Sequence, residues 1–195
     1  MSDQGIKSRP TYRRIEADPA GRHHLMVVEG AEVPKDALAE GGNPSAFELW
    51  TILRRSAVPS SPAMEEQAGE TRAFRSRAHL LAALGERLAR EKMGLRLYAA
   101  GTEPFLWDVF GVASEAGLSP QETTFAVAGP MARRIYCVHC RNVQEGVTTS
   151  IVTCSGCGAS LFVRDHFSRR LAAFMAVQID AEVPGDVPAA EELYA

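Results

Sequence analysis

The sequence predicts an α/β protein: a small parallel-sheet domain, followed by a β-hairpin module with four metal-binding cysteines, a helix and an extended tail. Two observations lead to this fold class. In the middle of the chain, segments with helical and strand patterns alternate in the order helix, strand, helix, strand, which is typical of parallel sheets. Nearer the C terminus, the four cysteines of the chain lie in two CxxC pairs, a spacing that favours metal binding where thiols stay reduced.

The size and composition of the chain are compatible with this organisation. Its 195 residues, 46% of them apolar, are enough for one domain and a small module with a hydrophobic core. The formal net charge is -3 and the arginine pairs are scattered, so the sequence carries no electrostatic footprint for nucleic acid. Because it also contains neither a secretory signal nor a run of ~18 apolar residues, we expect a cytoplasmic protein.

The predicted sheet begins with a buried strand at Leu25–Val28, a short apolar run with β-branched residues. A short helix is predicted to follow over residues 45–53, with Asn43 as its N-cap and Pro44 in its first turn. Residues 58–71 are rich in Pro, Ser and Glu, and we expect them to form a mobile loop.

The clearest helix is predicted from Arg75 to Met93, because apolar residues recur there every three to four positions. Gly94 is placed to cap its C-terminal end. A strand over 95–100, a helix over 103–116 and a strand over 123–128 complete the alternating pattern. The apolar stripe of the first helix consists of Leu80, Leu81, Leu84, Leu88 and Met93.

The predicted domain boundaries follow changes in composition along the chain. Residues 1–22 are polar and are expected to be a flexible arm, and residues 23–132 form the α/β domain. The metal-binding module covers 133–177 and includes a helix over 164–177. The acidic segment 178–195 is expected to be an extended tail that becomes ordered only on a partner. One face of the predicted helix in the module would carry Phe167, Leu171 and Phe174.

The predicted metal ligands are Cys137, Cys140, Cys154 and Cys157. Each CxxC pair can form a tight turn that directs two sulfurs at one ion, and the segment between the pairs can form a hairpin near Gly146. Four thiolates around one ion are the arrangement of structural zinc, with Zn–S distances of ~2.3 Å. Such a zinc contributes on the order of 10–16 kcal/mol to the folding of small modules.

The ligand set favours zinc but leaves the metal open. A rubredoxin-like iron site has the same geometry and would carry one electron. Gly158, directly after the last cysteine, suits such a site, whereas Arg141 stands at the corresponding position after the second cysteine. The spacing disfavours a [2Fe–2S] cluster, and four unrelated buried thiols are the remaining interpretation.

No catalytic or cofactor-binding residue is predicted in this chain. The sequence contains neither a GxGxxG nor a GxxxxGK[ST] loop for phosphates, and it has no GxSxG or HExxH motif. A closed four-thiolate site offers no open coordination position for hydrolytic chemistry. His139 and His166 lie close to the cysteines in sequence, and we expect both to be ordinary surface residues.

The stretch LRLYAAGTEPFLW, from Leu95 to Trp107 and onward to Phe125, resembles the end of the nucleotide domain in ferredoxin-reductase-like flavoenzymes of the phthalate dioxygenase reductase type. In that family a strand ends in a Cys-Gly-Pro turn that leads into a helix. Here Ala100 stands in place of the Cys and Thr102 in place of the Pro. The resemblance implies a truncated reductase-like domain. The two departures from the family pattern argue against NAD(P)H oxidation by this chain.

Most of the chain, and most clearly the part from Leu95 onward, resembles the small subunit of bacterial dimethylamine monooxygenases. The segments YCVHC and VTCSGCGASLFVRDHFSRRLAAFMAVQ and the acidic tail carry this resemblance. It implies a heteromeric complex that oxidises dimethylamine to methylamine and formaldehyde with O2 and NADPH. It also implies that haem, FMN and [2Fe–2S] belong to partner subunits, namely a haem-containing catalytic subunit and a flavin/iron–sulfur reductase subunit.

These observations lead to the hypothesis of a non-catalytic assembly subunit whose metal site stabilises a docking surface. Two alternatives come from other classes of protein. One is a rubredoxin-like electron-transfer subunit of the same complex, and the other is a free-standing zinc-ribbon interaction protein. The metal content of the purified complex, together with its subunit composition, distinguishes the three.

Overall fold

The chain divides into two compact units in the computed structural model. The first unit spans residues 12–129, and the second combines residues 8–11 with residues 130–194. Each unit contains a β-sheet of its own. The residues that the structure describes are 8–40, 46–53 and 71–194.

The first unit is built on a parallel sheet, as the alternating sequence pattern predicts. Within the described residues its five strands have the order β3-β2-β1-β4-β5, and each strand is parallel to its neighbours. Helix α1 connects β3 to β4, and helix α2 connects β4 to β5. The strands are β1 His23–Val28, β2 Glu48–Ile52, β3 Thr71–Phe74, β4 Leu95–Gly101 and β5 Thr123–Val127, and the helices are α1 Arg77–Leu88 and α2 Glu103–Glu115.

The two faces of this sheet are covered by different parts of the chain. Because successive strand residues point to opposite faces, Leu25 and Val27 pack toward the two helices, whereas Met26 and Val28 pack toward irregular segments. The helix-side core includes Trp50, Phe74, Leu80, Leu84, Leu97, Phe105 and Leu106. The opposite core includes Ile15, Ala37, Leu38, Phe47 and Tyr98.

The described part of the predicted flexible arm, from residue 8 to residue 22, is integrated into the fold. Ile15 is fully buried. Its N–H donates to the carbonyl of Ala37 (2.7 Å) and its carbonyl accepts from the N–H of Ala39 (2.9 Å). The structure therefore differs from the expected flexible arm, because an apolar residue within that polar segment reaches the core. Residues 1–7 lie outside the described residues.

The prediction of a helix over residues 45–53 is wrong, since Glu48–Ile52 is a strand between β1 and β3. Phe47 and Trp50 belong to cores on opposite faces of the sheet, whereas a helix would place them on one face. Asn43 and Pro44, the predicted cap and first turn, lie outside the described residues. The predicted mobile loop over 58–71 also lies outside them, except for Thr71, which begins β3.

Helix α1 ends at Leu88, earlier than its apolar pattern suggests. Met93 is 93% exposed and contributes nothing to the apolar stripe. Gly94 has a φ of 108° and turns the chain into β4 rather than capping the helix. No helix among the described residues is long and apolar enough to cross a membrane.

The second unit contains a sheet with the strand order β7-β6-β10-β9-β8 and, among its described residues, no α-helix. Strands β6 and β10 are parallel, and the other neighbours are antiparallel. The strands are β6 Arg133–Cys137, β7 Val143–Val147, β8 Ile151–Thr153, β9 Ser160–Ser168 and β10 Ala173–Gln178.

The predicted helix over residues 164–177 is therefore wrong, because this segment forms most of the β9–β10 hairpin. Buried residues alternate along β9, at Leu161, Val163 and Phe167, which is a strand pattern. Phe167 and Phe174 do lie together, but as a cross-strand pair with ring centroids 5.0 Å apart. A spacing of seven residues fits one helix face and also a hairpin with a short turn.

The acidic tail packs on its own unit, whereas the sequence predicts ordering only on a partner. The N–H of Ser150 donates to the carbonyl of Glu191 (2.7 Å), and the N–H of Leu193 donates to the carbonyl of Thr148 (2.7 Å). The hydroxyl of Tyr194 accepts a hydrogen bond from the side chain of Arg133 (3.3 Å). The tail thus returns to the loop between β7 and β8.

Candidate metal centre

The two CxxC pairs lie in turns of different hairpins. The first pair occupies the connection between β6 and β7, and the second pair occupies the connection between β8 and β9. Strands β7 and β8 are the opposite edges of the sheet. The segment between the pairs is therefore not the single hairpin near Gly146 that the sequence predicts, and the sheet curls to bring its two edges together.

Both turns have the same backbone hydrogen bonds. In the first, the N–H of Arg141 donates to the carbonyl of Cys137, and the N–H of Cys137 donates to the carbonyl of Asn142, both at 2.9 Å. The second turn repeats these bonds from the N–H groups of Gly158 and Cys154, again at 2.9 Å. Each pair is thus held in one conformation by its own backbone, so that two sulfurs project from each turn.

Side chains link the two turns to each other. The amide nitrogen of Asn142 donates to the hydroxyl of Ser155 (2.9 Å), and the N–H of Ser155 donates to the side-chain oxygen of Gln144 (3.0 Å). A Cβ on Gly156 would lie 2.8 Å from the Cβ of Asn142 and 3.2 Å from the sulfur of Cys140. Only a glycine allows the second turn to approach the first this closely.

The structure brings the sulfurs of Cys137, Cys140, Cys154 and Cys157 within 4.8 Å of one another. Two of the separations are 4.0 Å, between Cys137 and Cys157, and 3.6 Å, between Cys140 and Cys154. A tetrahedron with metal–sulfur bonds of ~2.3 Å places its sulfurs about 3.8 Å apart, whereas a disulfide requires about 2.05 Å. The four sulfurs therefore have the spacing of ligands around one ion.

The first cysteine of each pair is buried and the second is exposed. Backbone N–H groups of Cys157 and Gly156 lower the pKa of Cys154 to about 6, although burial opposes this. The N–H of Asn142 favours the Cys140 thiolate, but burial and three neighbouring sulfurs raise its pKa to about 12. Four thiols this close cannot all ionise without a cation between them, and a divalent ion supplies that charge.

The two histidines near the cysteines in sequence are not members of the sulfur cluster. Both His139 and His166 are exposed, and the cluster of possible metal ligands among the described residues consists of the four cysteines alone. The sequence-based expectation that both histidines are surface residues agrees with this exposure.

One arginine of the second unit is buried. Scattered arginine pairs such as Arg133-Arg134 are usually solvated or form salt bridges with a partner, and the Arg133 side chain is only 1% exposed. Its guanidinium donates to Asp165 (2.7 Å) and lies 4.2 Å from the ring centroid of Phe174. Arg133 alternates with Ile135 and Cys137, which are also buried along β6. This alternation is the sequence signal that could have predicted the buried arginine.

Comparison with known proteins connects this geometry to a family. The N-terminal domain model of the family described as dimethylamine monooxygenase subunit DmmA-like matches residues 4–123, and its C-terminal domain model matches residues 134–177. The chain belongs to this family. The gap between the two matched ranges contains the division between the two units of the structure, at residues 129 and 130.

A relative in this family extends the similarity over almost the whole chain. The heme-dependent oxidative N-demethylase delta subunit of Ectopseudomonas mendocina (strain ymp) is 32% identical over 179 residues, which cover 91% of each chain. No solved structure gives a significant match. The four-cysteine cluster lies in the part of the chain that corresponds to the C-terminal domain of the DmmA-like family.

Proposed function

We propose that this chain is a non-catalytic assembly subunit of a heteromeric, haem-dependent oxidative N-demethylase in the cytoplasm. The observation that carries the proposal is the similarity to a subunit of such an enzyme over 91% of both chains. The complex would convert dimethylamine, O2, NADPH and a proton into methylamine, formaldehyde, NADP+ and water. The family description, which names dimethylamine monooxygenase, supports dimethylamine as the substrate.

In this proposal the chemistry belongs to partner subunits. A haem-containing subunit would activate oxygen, and a flavin/iron–sulfur reductase subunit would pass electrons from NADPH to it. Four protein sulfurs complete a tetrahedral site and leave no position for a substrate. The four-cysteine cluster is also the one group of metal-ligating side chains found among the described residues, which supports a structural rather than a catalytic role.

The metal in this proposal is zinc, held by Cys137, Cys140, Cys154 and Cys157. Zinc supplies no redox chemistry and would connect the turn at one edge of the sheet to the turn at the other. Apart from the hydrogen bonds that Ser155 forms with Asn142 and Gln144, the two edges are not joined by strand pairing. The metal would thus fix the shape of the surface that the second unit presents.

Co-expression of all subunits tests the assembly role. We expect the tagged chain to co-purify with a haem subunit and a flavin subunit, together with one zinc per chain by elemental analysis. Omitting the chain should lower the yield of intact complex and the NADPH-driven demethylation rate together. Full demethylation by an intact complex that lacks the chain would contradict the proposal. A monomer that retains no partner would instead favour a free-standing zinc-ribbon protein.

One observation favours a second candidate, a rubredoxin-like electron carrier. Cys140 and Cys157 are exposed, so a metal bound here would lie near the surface, as electron exchange with a partner requires. An iron tetrathiolate is red and bleaches on reduction, whereas the zinc form is colourless. A stoichiometric iron content and a reversible visible spectrum in the purified complex would replace the assembly role with electron transfer.

A further inference from the structure

The two faces of the second sheet differ sharply in exposure. On the inner face Ile135, Val163 and Ala176 are at most 3% exposed. On the outer face apolar side chains are about half-exposed, with Phe162 at 39%, Val138 at 44% and Val143 at 49%. Single exposed apolar residues are ordinary, but a contiguous group on one sheet face is typical of an interaction site.

Strand pairing shows that these residues are contiguous. Val177 lies directly opposite Phe162 across β10 and β9, and Met175 pairs with Tyr136 across β10 and β6. Tyr136 in turn pairs with Val143 across β6 and β7. Paired residues project from the same face of a sheet, so one apolar surface extends over four strands. We call it the outer face, and it consists of Tyr136, Val138, Val143, Phe162, Met175 and Val177.

An open groove of about 390 Å³ lies on the outer face. The register between β9 and β10 shifts between Phe174 and Ala176, and such irregularities spread the side chains around them. The groove has room for an apolar side chain of a partner. Its lining combines apolar and basic residues: Val138, Arg164, His166, Met175 and Val177.

The charge at the groove has one sign. Arg164 is exposed, and no ion pair joins it to the residues that the structure describes. The other arginine of the outer face, Arg134, is already neutralised by Glu145 (2.5 Å). A carboxylate that approaches the groove would therefore find an available guanidinium, which can accept it through two parallel hydrogen bonds.

A second copy of the chain does not satisfy this requirement through the same face. A two-fold interface places the same patch of both copies together, and this patch offers Arg164 no carboxylate except that of Glu145, which is already paired with Arg134. A different protein, with carboxylates beside an apolar projection, complements both the shape and the charge of the face.

We infer that the outer face is the docking surface for another subunit of the complex, which inserts an apolar side chain into the groove and pairs an Asp or Glu with Arg164. The inference rests on the proposed function, because it requires a partner subunit. The groove begins at Val138, within the first CxxC pair, so that metal binding at Cys137 and Cys140 fixes one of its walls. The docking surface is therefore continuous with the candidate metal centre.

The test compares full-length variants in the co-expressed complex. Arg164→Glu reverses the charge at the groove, and Phe162→Ala removes exposed apolar surface. We expect each to weaken binding of the chain to the partner subunits about ten-fold or more, measured by titration and by subunit stoichiometry after purification. Arg170→Glu is the matched control, since Arg170 is an exposed arginine in the β9–β10 turn, and it should bind like wild type.

A second measurement does not depend on how the variants fold. Carbene footprinting should label Met175 and Phe162 in the isolated chain and leave both protected in the complex. Wild-type binding by Arg164→Glu, together with equal labelling of Met175 in both states, would overturn the inference while leaving the assembly role intact. Self-association abolished by Arg164→Glu would overturn it in favour of a second copy. If the wild-type chain binds no subunit, the proposed function fails as well.

Discussion

One carboxylate oxygen of Glu29 accepts two hydrogen bonds from Thr102, from its backbone N–H at 2.7 Å and from its hydroxyl at 2.5 Å. Glu29 follows β1, and Thr102 is the N-cap of α2. The other oxygen forms an ion pair with Arg77 (2.5 Å), which also contacts Asp108 (3.2 Å). An internal anion thus lies at the N terminus of α2, where the helix dipole stabilises negative charge.

Replacing Glu29 by Ala should destabilise the first unit by about 1–3 kcal/mol, because the part-buried N–H of Thr102 loses its acceptor and Arg77 loses one of its carboxylate partners. Urea unfolding followed by tryptophan fluorescence measures this, since Trp50 and Trp107 both belong to the first unit. Glu32→Ala is the control, as Glu32 is exposed and should change stability by less than about 0.5 kcal/mol. Equal stability of the two variants would show that the network contributes nothing.

The same contact predicts that the isolated chain does not bind NADPH. In open parallel sheets, ligands bind at the carboxyl ends of the strands where the strand order reverses, which here is between β1 and β4. Phosphates usually bind the free N–H groups of the following helix, but Glu29 occupies that position. A Cβ on Gly101 would lie only 2.7 Å from the Cβ of Glu29. Fluorescence titration with NADPH should show no saturable binding, and a dissociation constant in the micromolar range would contradict this.

Periodic patterns account for the parts of the fold that the sequence predicts well. The α2 helix and strands β4 and β5 have long apolar patterns with clear ends, and the structure contains all three. The two CxxC pairs could be assigned to one site because their spacing alone restricts the geometry. These features depend on residues that are close together in the sequence, so the sequence alone is enough to predict them.

The features that the sequence did not predict depend on contacts between distant residues. Strand β2 is central, with buried residues on both faces, so its apolar residues show no strand alternation that would distinguish it from a short helix. Arg133 is buried only because β9 supplies Asp165 and the tail supplies Tyr194. The contact of Glu29 with Thr102 likewise joins residues 73 positions apart.

Removing the metal should unfold the second unit and leave the first intact. Structural zinc in small modules contributes on the order of 10–16 kcal/mol, comparable to the whole stability of a typical domain. We expect a strong chelator to raise hydrogen exchange throughout residues 133–178 without changing the fluorescence of Trp50 and Trp107.

Substitution of a ligand tests the same role, and Cys154→Ser should lower the amount of bound metal. His139→Ala, an exposed residue inside the first pair, should retain the full metal content. Unchanged exchange after complete metal removal would contradict a structural role.

Asp165 should stabilise the second unit in a pH-dependent way. Burial opposes its ionisation, but hydrogen bonds from Arg9 and Arg133 outweigh burial and lower the pKa of the carboxyl. A lowered pKa in the folded state stabilises the fold above the unfolded value of about 3.9, and this stabilisation is lost as the pH falls through the folded pKa. Asp165→Asn should therefore cost about 3–5 kcal/mol at pH 7, since it leaves the Arg133 cation buried without a countercharge.

Urea midpoints of wild type and Asp165→Asn at several pH values measure this dependence. The difference between the two proteins should shrink once the pH falls below about 4. Asp186→Asn is the control, because Asp186 is exposed in the tail, and its difference from wild type should stay small at every pH. A constant difference between Asp165→Asn and wild type from pH 7 to pH 3 would show that the lost interaction is not the ionised pair.

The two CxxC turns offer a matched test of backbone strain. Arg141 has a φ of 66° and Gly158 has a φ of 76° at equivalent positions. This left-handed conformation costs a residue with a Cβ roughly 1–2 kcal/mol, whereas glycine adopts it freely but loses more entropy on folding. Arg141→Gly should therefore stabilise the second unit by about 0.5–1 kcal/mol, and Gly158→Ala should destabilise it by about 1 kcal/mol.

A Cβ at Gly158 would meet no atom within 4 Å, so a loss of stability in Gly158→Ala reports the backbone conformation rather than a clash. Chelator competition and urea unfolding of the metal-bound chain measure both effects, and shifts of the same sign in the two variants would mean that the turns are not equivalent.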